Sequence, residues 1–356
     1  MKTALTDRLG LELPIIQAPM AGTSTPELAA AVSNAGALGS ISLGSVDAVV
    51  GRRQIQALKV LTTRPINVNV FCHAPTPPDL ARDRVWIDSL RPIFAGFDAS
   101  PPETLNEIYQ SFLTDDAKLA GLLEERPAVV SFHFGLPQPE KIAALKAAGC
   151  ILLASATTPA EARLAQIAGI DMVVAQGVEA GGHRGVFDPA DDPRFATLPL
   201  TRLLTRELDI PVIAAGGIMD GAGIAAALAL GAAGAQLGTA FVSCPESAAN
   251  PAYRAALAGP RAERTRVSAV ISGRPARGVE NAFMRRADEA LTAGYPYAYD
   301  LGKALNAAAS AHGDDGYAPQ WAGQAAPLTR GLPAVELVEA LAQETRSAIH
   351  DLQRLL

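Results

Sequence analysis

Short apolar runs alternate along this chain with longer, alanine-rich stretches whose apolar positions recur at helical spacing. The runs Pro14 to Ala18, Leu38 to Ser42, Ile66 to Phe71, Ala128 to Phe132, Ile151 to Ser155, Asp171 to Ala175, Pro211 to Ala215 and Ala235 to Phe241 read as eight strands. The stretches between them read as helices. Thr25 is the expected N-cap of the first, Pro26 its opening residue and Gly36 its stop. Strands joined by helices cannot pair as hairpins, so the alternation predicts βαβ units and a parallel sheet. Eight such units at this spacing predict a TIM (β/α)8 barrel, with a doubly wound open sheet as the alternative.

The rhythm breaks twice. Residues 73–102 are rich in proline, carry Trp86, Phe94 and Phe97, and hold no barrel strand; a helix over about 103–125, carrying Tyr109 and Phe112, is expected to close them. Residues 251–332 break it again, with a possible β-ribbon over Arg266 to Arg274 and a Gly/Pro-punctuated stretch holding Tyr295, Tyr297 and Tyr299. The final run, 333–356, reads as the helix that closes the barrel. The expected organisation is a barrel of residues 1–72, 126–250 and 333–356, with 73–125 and 251–332 inserted as a smaller substrate or lid domain.

Composition narrows the partners. Hydrophobic residues make up 49% and charged residues 19% of the 356, enough to bury a large core. A formal charge of −6 argues against nucleic acid or an anionic membrane. Cys72, Cys150 and Cys244 are odd in number and lack CxxC spacing, which disfavours disulfides and a cysteine zinc site and fits a reducing compartment. The first residues lack the apolar core of a signal peptide, and no apolar run approaches the ~18 residues of a membrane span. A cytoplasmic protein is expected, with its oligomeric state left open between monomer and dimer.

Barrel strands deliver the loops that follow them to one face, so polar groups at strand ends should converge there. The richest such loop is Gln176 to Gly185, which packs four glycines, an amide, a carboxylate, an imidazole and a guanidinium into ten residues. Glycine lets backbone approach a ligand closely, but a plain turn has no use for all four polar groups. Asn69 and His133 end earlier strands. Gly216-Gly217 and Gly238-Thr239 follow the seventh and eighth. There, backbone N–H groups could receive a phosphate, although glycine-rich barrel turns look the same. Neither stretch has a dinucleotide or Walker fingerprint. Glu179 and Arg184 are expected to pair and shape the loop. No His/Asp/Glu cluster has metal-ligand spacing, and His73, His312 and His350 read as structural.

Ala18-Pro19-Met20-Ala21-Gly22, Gln176 to Gly185, Ala215 to Ile218 and Gln236-Leu237-Gly238-Thr239-Ala240-Phe241 together resemble the nitronate monooxygenases, formerly called 2-nitropropane dioxygenases. Ser131 to Pro137 resembles the motif of the class acting on propionate 3-nitronate. The resemblance spans the barrel and implies bound FMN. On it, Ala18, Pro19, Met20 and Asn69 would flank the isoalloxazine. Gln176, Gly181 and Gly182 would meet the flavin and its ribityl chain. Gly216, Gly217, Gln236, Leu237, Gly238 and Thr239 would complete the cofactor site around the phosphate. His183 matches the active-site histidine, His133 a second histidine near the substrate, and Tyr109 and Tyr299 the aromatic wall of the substrate pocket.

The implied activity is oxidation of a small anionic nitronate by O2, through single-electron transfer to flavin, giving the carbonyl compound and nitrite or nitrate. An imidazole suits this as a donor to the anion, or as a base towards the neutral nitroalkane. The alternative is an NAD(P)H-dependent flavin reductase of quinones or enoyl thioesters on the same barrel. A flavin-binding protein without turnover would need His133 and His183 to be idle.

Overall fold

The computed structural model describes residues 1–354. Its barrel strands are β1 (Ile15–Gln17), β2 (Gly39–Ser42), β3 (Ile66–Phe71), β4 (Val129–His133), β5 (Ile151–Ala156) and β6 (Met172–Gln176). A two-residue strand, β7 (Gly182–His183), interrupts the series before β8 (Val212–Ala215) and β9 (Gly234–Leu237). All eight barrel strands pair in parallel in the order β1-β9-β8-β6-β5-β4-β3-β2. A parallel bridge between Ile16 and Leu38 joins β1 to β2 and closes the ring. The expected (β/α)8 barrel is the fold, and the open sheet is excluded.

Alternate residues of the strands fill the interior, where Ile16, Leu38, Leu153, Val174 and Ile213 pack on Leu5 and Leu9 of helix α1 (Ala4–Leu9). That helix plugs one end, so the other end is the one left for a site. The outer ring begins with α2 (Pro26–Asn34) and α3 (Ala48–Leu61) and resumes after the first insertion. Thr25 caps α2 by accepting from the Leu28 amide at 3.0 Å, with Pro26 at the first turn. The last helix, α14 (Ala334–Gln353), packs on α9 (Gly221–Ala229) and on α2 and completes the ring. The final two residues of the stretch expected to form it lie outside the described ones.

The first insertion is organised differently from expectation. Residues 80–95 form a helix, α4 (Leu80–Ala95), started by Asp79, whose side chain accepts from the Arg82 amide. Trp86, Ile87, Leu90 and Phe94 line its buried face. Helix α5 (Asp116–Glu125) begins only where Asp115 caps it, so Tyr109 and Phe112 precede the helix. Residues 101–110 form no helix, although Ser100, Pro101 and Glu103 offer a helix-start pattern. Helix α5 packs on α3 and on α6 (Pro139–Ala147), and Leu122 joins the barrel core, so α5 belongs to the outer ring. Helices α7 (Pro159–Ile167), α8 (Thr197–Glu207) and α9 (Gly221–Ala229) complete that ring, and a four-residue turn, α10 (Thr239–Val242), follows β9.

In the second insertion α11 (Pro251–Ala258) leads to a ribbon of β10 (Thr265–Ser268) and β11 (Ala276–Val279). The expected ribbon exists, but its return strand lies beyond Arg274 because residues 269–275 form the turn. β11 also pairs with β7 from the barrel loop, Ala276 opposite His183. Helix α12 (Ala282–Arg286) and α13 (Tyr297–Ala311) then pack with α4, with Leu301 and Leu305 in a core shared with Trp86 and Phe94. The two insertions thus make one layer. Among the described residues, no helix is long and apolar enough to cross a membrane.

Candidate active site

The loop after β6 is held by its own polar groups. The Gln176 amide donates to the His183 carbonyl at 3.0 Å, and its oxygen accepts the Gly185 N–H at 2.7 Å. The Arg184 guanidinium, wholly buried, donates to the carbonyls of Gln176 (3.1 Å) and Gly177 (2.9 Å). Its ion-pair partner is not Glu179 but Asp192, met in a two-point pair at 2.9 and 3.0 Å. Glu179 instead accepts from the amide and hydroxyl of Thr197 at the start of α8. Burial decides this exchange: a fully desolvated guanidinium needs a fork of oxygens, and Asp192 supplies the matching one.

A cavity of about 500 Å³ opens at the strand ends, in the size range of cofactor and substrate sites. Ala18, Pro19, Met20, Asn69, Gln176, Gly181, Gly182, Gly216, Gly217, Gln236, Gly238 and Thr239 all line it. His133, His183, Tyr109 and Tyr299 line it as well. Leu237 does not: its side chain is in the core between barrel and helices, and its carbonyl accepts the Ala18 N–H at 2.8 Å. Asn69 is fixed by donating to the Ser131 carbonyl and hydroxyl at 3.1 and 3.0 Å.

At one end lies a cradle of backbone. Gly216 and Gly217 have φ of 124° and 69°, values that L side chains rarely adopt. A Cβ on Gly238 would project beside Ala18 and the Met20 sulfur at 3.4 and 3.7 Å. Thr239 Oγ1 accepts the Gly323 N–H at 3.0 Å, tying the second insertion to this end. The cradle offers neutral backbone donors, and among the described residues no Asp or Glu lines the cavity there, which suits a phosphate.

At the other end His183 is enclosed by aromatic rings: Trp321 at 5.2 Å between centroids, Phe134 at 5.7 Å, Tyr295 at 6.0 Å and Tyr299 at 6.1 Å. Burial, then the neighbouring His133 and Arg274, lower the His183 pKa to about 3. Burial likewise lowers His133 to about 4, against the hydrogen bond to the His183 carbonyl, which raises it. Both rings are therefore neutral at neutral pH. His133 Nε2 lies 3.2 Å from that carbonyl, which can only accept, so Nε2 carries the proton and Nδ1 accepts from Ser155 Oγ at 2.9 Å. With both nitrogens engaged, His133 braces the His183 backbone.

Several lining residues escaped the sequence reading: Tyr253, Tyr295, Lys303, Asn306 and Trp321. Lys303 was recoverable in principle, since it stands one helical turn beyond Tyr299 on α13 and so shares its face. No pattern flagged that helix through the surrounding glycines and prolines. Lys303 is the only Lys or Arg in the lining among the described residues, and no Asp or Glu is there. Its Nζ sits 4.7 Å from the Tyr109 ring centroid and 5.6 Å from that of Tyr299. Among the described residues, no group of His, Cys, Asp and Glu could hold a metal ion.

A closed parallel barrel with a backbone cradle, a neutral histidine and an aromatic wall at its open end defines the class by fold and site: a (β/α)8 barrel with a cofactor-sized cavity at its strand ends. The sequence model of the nitronate monooxygenase family matches residues 2–344. The chain is 56% identical, over an alignment of 359 positions, to a nitronate monooxygenase of Paraburkholderia phytofirmans, covering 99% of this chain and 98% of that one. It is 55% identical to a nitronate monooxygenase of Pseudomonas aeruginosa, covering 96% and 100%. Among solved structures, a nitroalkane oxidase from Streptomyces ansochromogenes superposes with a TM-score of 0.90 at 43% identity, over 98% of this chain and 100% of that one. The chain belongs to the nitronate monooxygenase family, a flavin-dependent class of oxidoreductases.

Proposed function

We propose that this protein binds FMN and uses O2 to oxidise a small, carboxylate-bearing alkyl nitronate, propionate 3-nitronate, to the carbonyl compound with release of nitrite or nitrate. The observation that carries the substrate reading is Lys303. It is the one cationic side chain of the lining among the described residues and stands over Tyr109 and Tyr299. Burial lowers its pKa and Asp300 counters that. A single cation in an otherwise neutral cavity favours a substrate with an anionic tail, because a charge-assisted hydrogen bond there is little screened.

The cradle fits FMN: Gly216, Gly217, Gly238 and Thr239 would hold its phosphate, and the Ala18 to Met20 and Gly181 backbone its ring system. When bound, the flavin supplies electron acceptance, which no side chain here can provide. The protein places the substrate and excludes water. Lys303 binds the carboxylate, the aromatic wall packs the short chain, and His183 meets the nitro-bearing end. As a neutral ring, His183 can hydrogen-bond that end, or take a proton from it if the substrate arrives as the neutral nitroalkane.

The test is oxygen uptake and nitrite release by the flavin-loaded enzyme, with propionate 3-nitronate and separately with NADH. Rapid uptake with the nitronate and none with NADH is expected. Flavin bleaching on anaerobic mixing with NADH, with the nitronate left untouched, would establish the reductase alternative instead.

A further inference from the structure

His183 is held from both sides by the second insertion. Its backbone pairs with β11, and its Nε2 lies 2.8 Å from the hydroxyl of Ser272, a wholly buried residue in the turn between β10 and β11. That turn is rigid: the amides of Ser272 and Gly273 both donate to the Ala269 carbonyl, at 3.2 and 2.7 Å. Gly273 has φ of 89°, and a Cβ on it would fall 2.6 Å from the Tyr295 nitrogen. Ser272 therefore has little freedom to move away from the imidazole.

Proton counting around its Oγ decides what it does. The Arg274 N–H donates to Oγ at 3.3 Å, and the Arg274 carbonyl lies 3.1 Å away as an acceptor. The hydroxyl has one hydrogen, wanted by that carbonyl and by a bare Nε2. Given to the imidazole, it leaves the carbonyl of a buried residue with no other donor among the described residues. Given to the carbonyl, it satisfies every group, because Oγ then accepts from both Arg274 N–H and His183 Nε2–H. Buried polar groups in folded proteins are paired, which favours the second arrangement.

We propose that Ser272 is a positioning residue that holds His183 as its Nε2–H tautomer, so that Nδ1 presents a lone pair to the cavity. The inference rests on the reading of His183 as the group that meets the substrate, and it sharpens that reading. The ring can take a proton at Nδ1 and keep Nε2–H on Ser272 throughout. Where the substrate arrives as the neutral nitroalkane, the cation so formed would lie against the nitronate left by loss of that proton. His133, whose two nitrogens are both spent, cannot substitute.

The test is nitrogen-15 NMR of the flavin-loaded enzyme labelled at histidine, with His183 assigned among the five histidines by the signal lost in His183→Gln. The parent enzyme should show the Nε2–H pattern for His183. Ser272→Ala should lose this single-tautomer signature, and Ser272→Thr, which keeps the hydroxyl, should restore it. An Nδ1–H pattern in the parent enzyme overturns the proposal, whether or not the alanine variant folds. So does an unchanged Nε2–H pattern in Ser272→Ala. The readout concerns the ring alone, so it can fail while oxygen uptake with the nitronate succeeds, and the reverse.

Discussion

Gln176 and His133 converge on one acceptor: the His183 carbonyl takes a hydrogen bond from the Gln176 amide at 3.0 Å and another from His133 Nε2 at 3.2 Å. The two donors come from the ends of β6 and β4, the strands on either side of β5, so two separate points of the barrel rim fix the backbone of one loop residue. With Ser272 on its ring, His183 is held at both backbone and side chain. That is the support a group needs if it is to meet a substrate in one geometry.

Replacing His183 by alanine should therefore remove turnover while leaving flavin binding intact. A loss of about 10²–10⁴ in kcat/KM is expected for a lost acid–base or hydrogen-bonding group. Oxygen uptake and the flavin absorbance of the same sample measure the two effects together. Unchanged turnover would place the chemistry elsewhere in the cavity.

Lys303→Met keeps much of the stem's packing on Tyr109 and Tyr299 and removes the charge. KM for propionate 3-nitronate should rise about 10- to 100-fold, the size of one hydrogen bond to a charged group. An alkyl nitronate without a carboxylate should be oxidised nearly as before. Equal losses on both substrates would show that Lys303 shapes the pocket and does not select the tail.

Stability should depend on the buried histidines. His133 and His183 have folded pKa values of about 4 and about 3, below the ordinary 6.5. Between these limits the unfolded chain binds more protons than the folded one, so stability rises with pH. Their contribution is fully present above about pH 6.5 and is lost progressively as the pH falls towards 4 and then 3. Melting temperature followed from pH 7.5 to 4 should fall, and His133→Asn should fall less steeply. Identical slopes would show that His133 is not responsible.

Asp192→Ala leaves the Arg184 guanidinium buried without its partner. Breaking a buried pair from one side costs about 3–5 kcal/mol. Urea denaturation should report a loss of that order, and flavin affinity should drop with it, since Arg184 also carries the carbonyls of Gln176 and Gly177. Glu179→Gln should cost less, because its oxygen still accepts from Thr197. If the Glu179 variant were the more damaging, the loop would be held in another way.

The barrel, the loop after β6 and the two glycine turns were legible in the residues because each depends on local rules. Period-2 and period-3.6 patterns mark strands and helices, and glycine marks backbone that side chains would block. Connectivity then sends every loop after a strand to the same rim, so the meeting of Asn69, Gln176, His183 and Gly216 could be anticipated without contacts. Tertiary structure alone decided which partner each polar group took. Arg184 lies eight residues from Asp192 and five from Glu179, and nothing local chooses between them. Ser272 is 89 positions from His183, and Lys303 reaches the cavity only because α13 packs on α4. Hydrogen bonds and ion pairs in a desolvated site are settled by which groups the fold buries together. Sequence spacing carries no record of that.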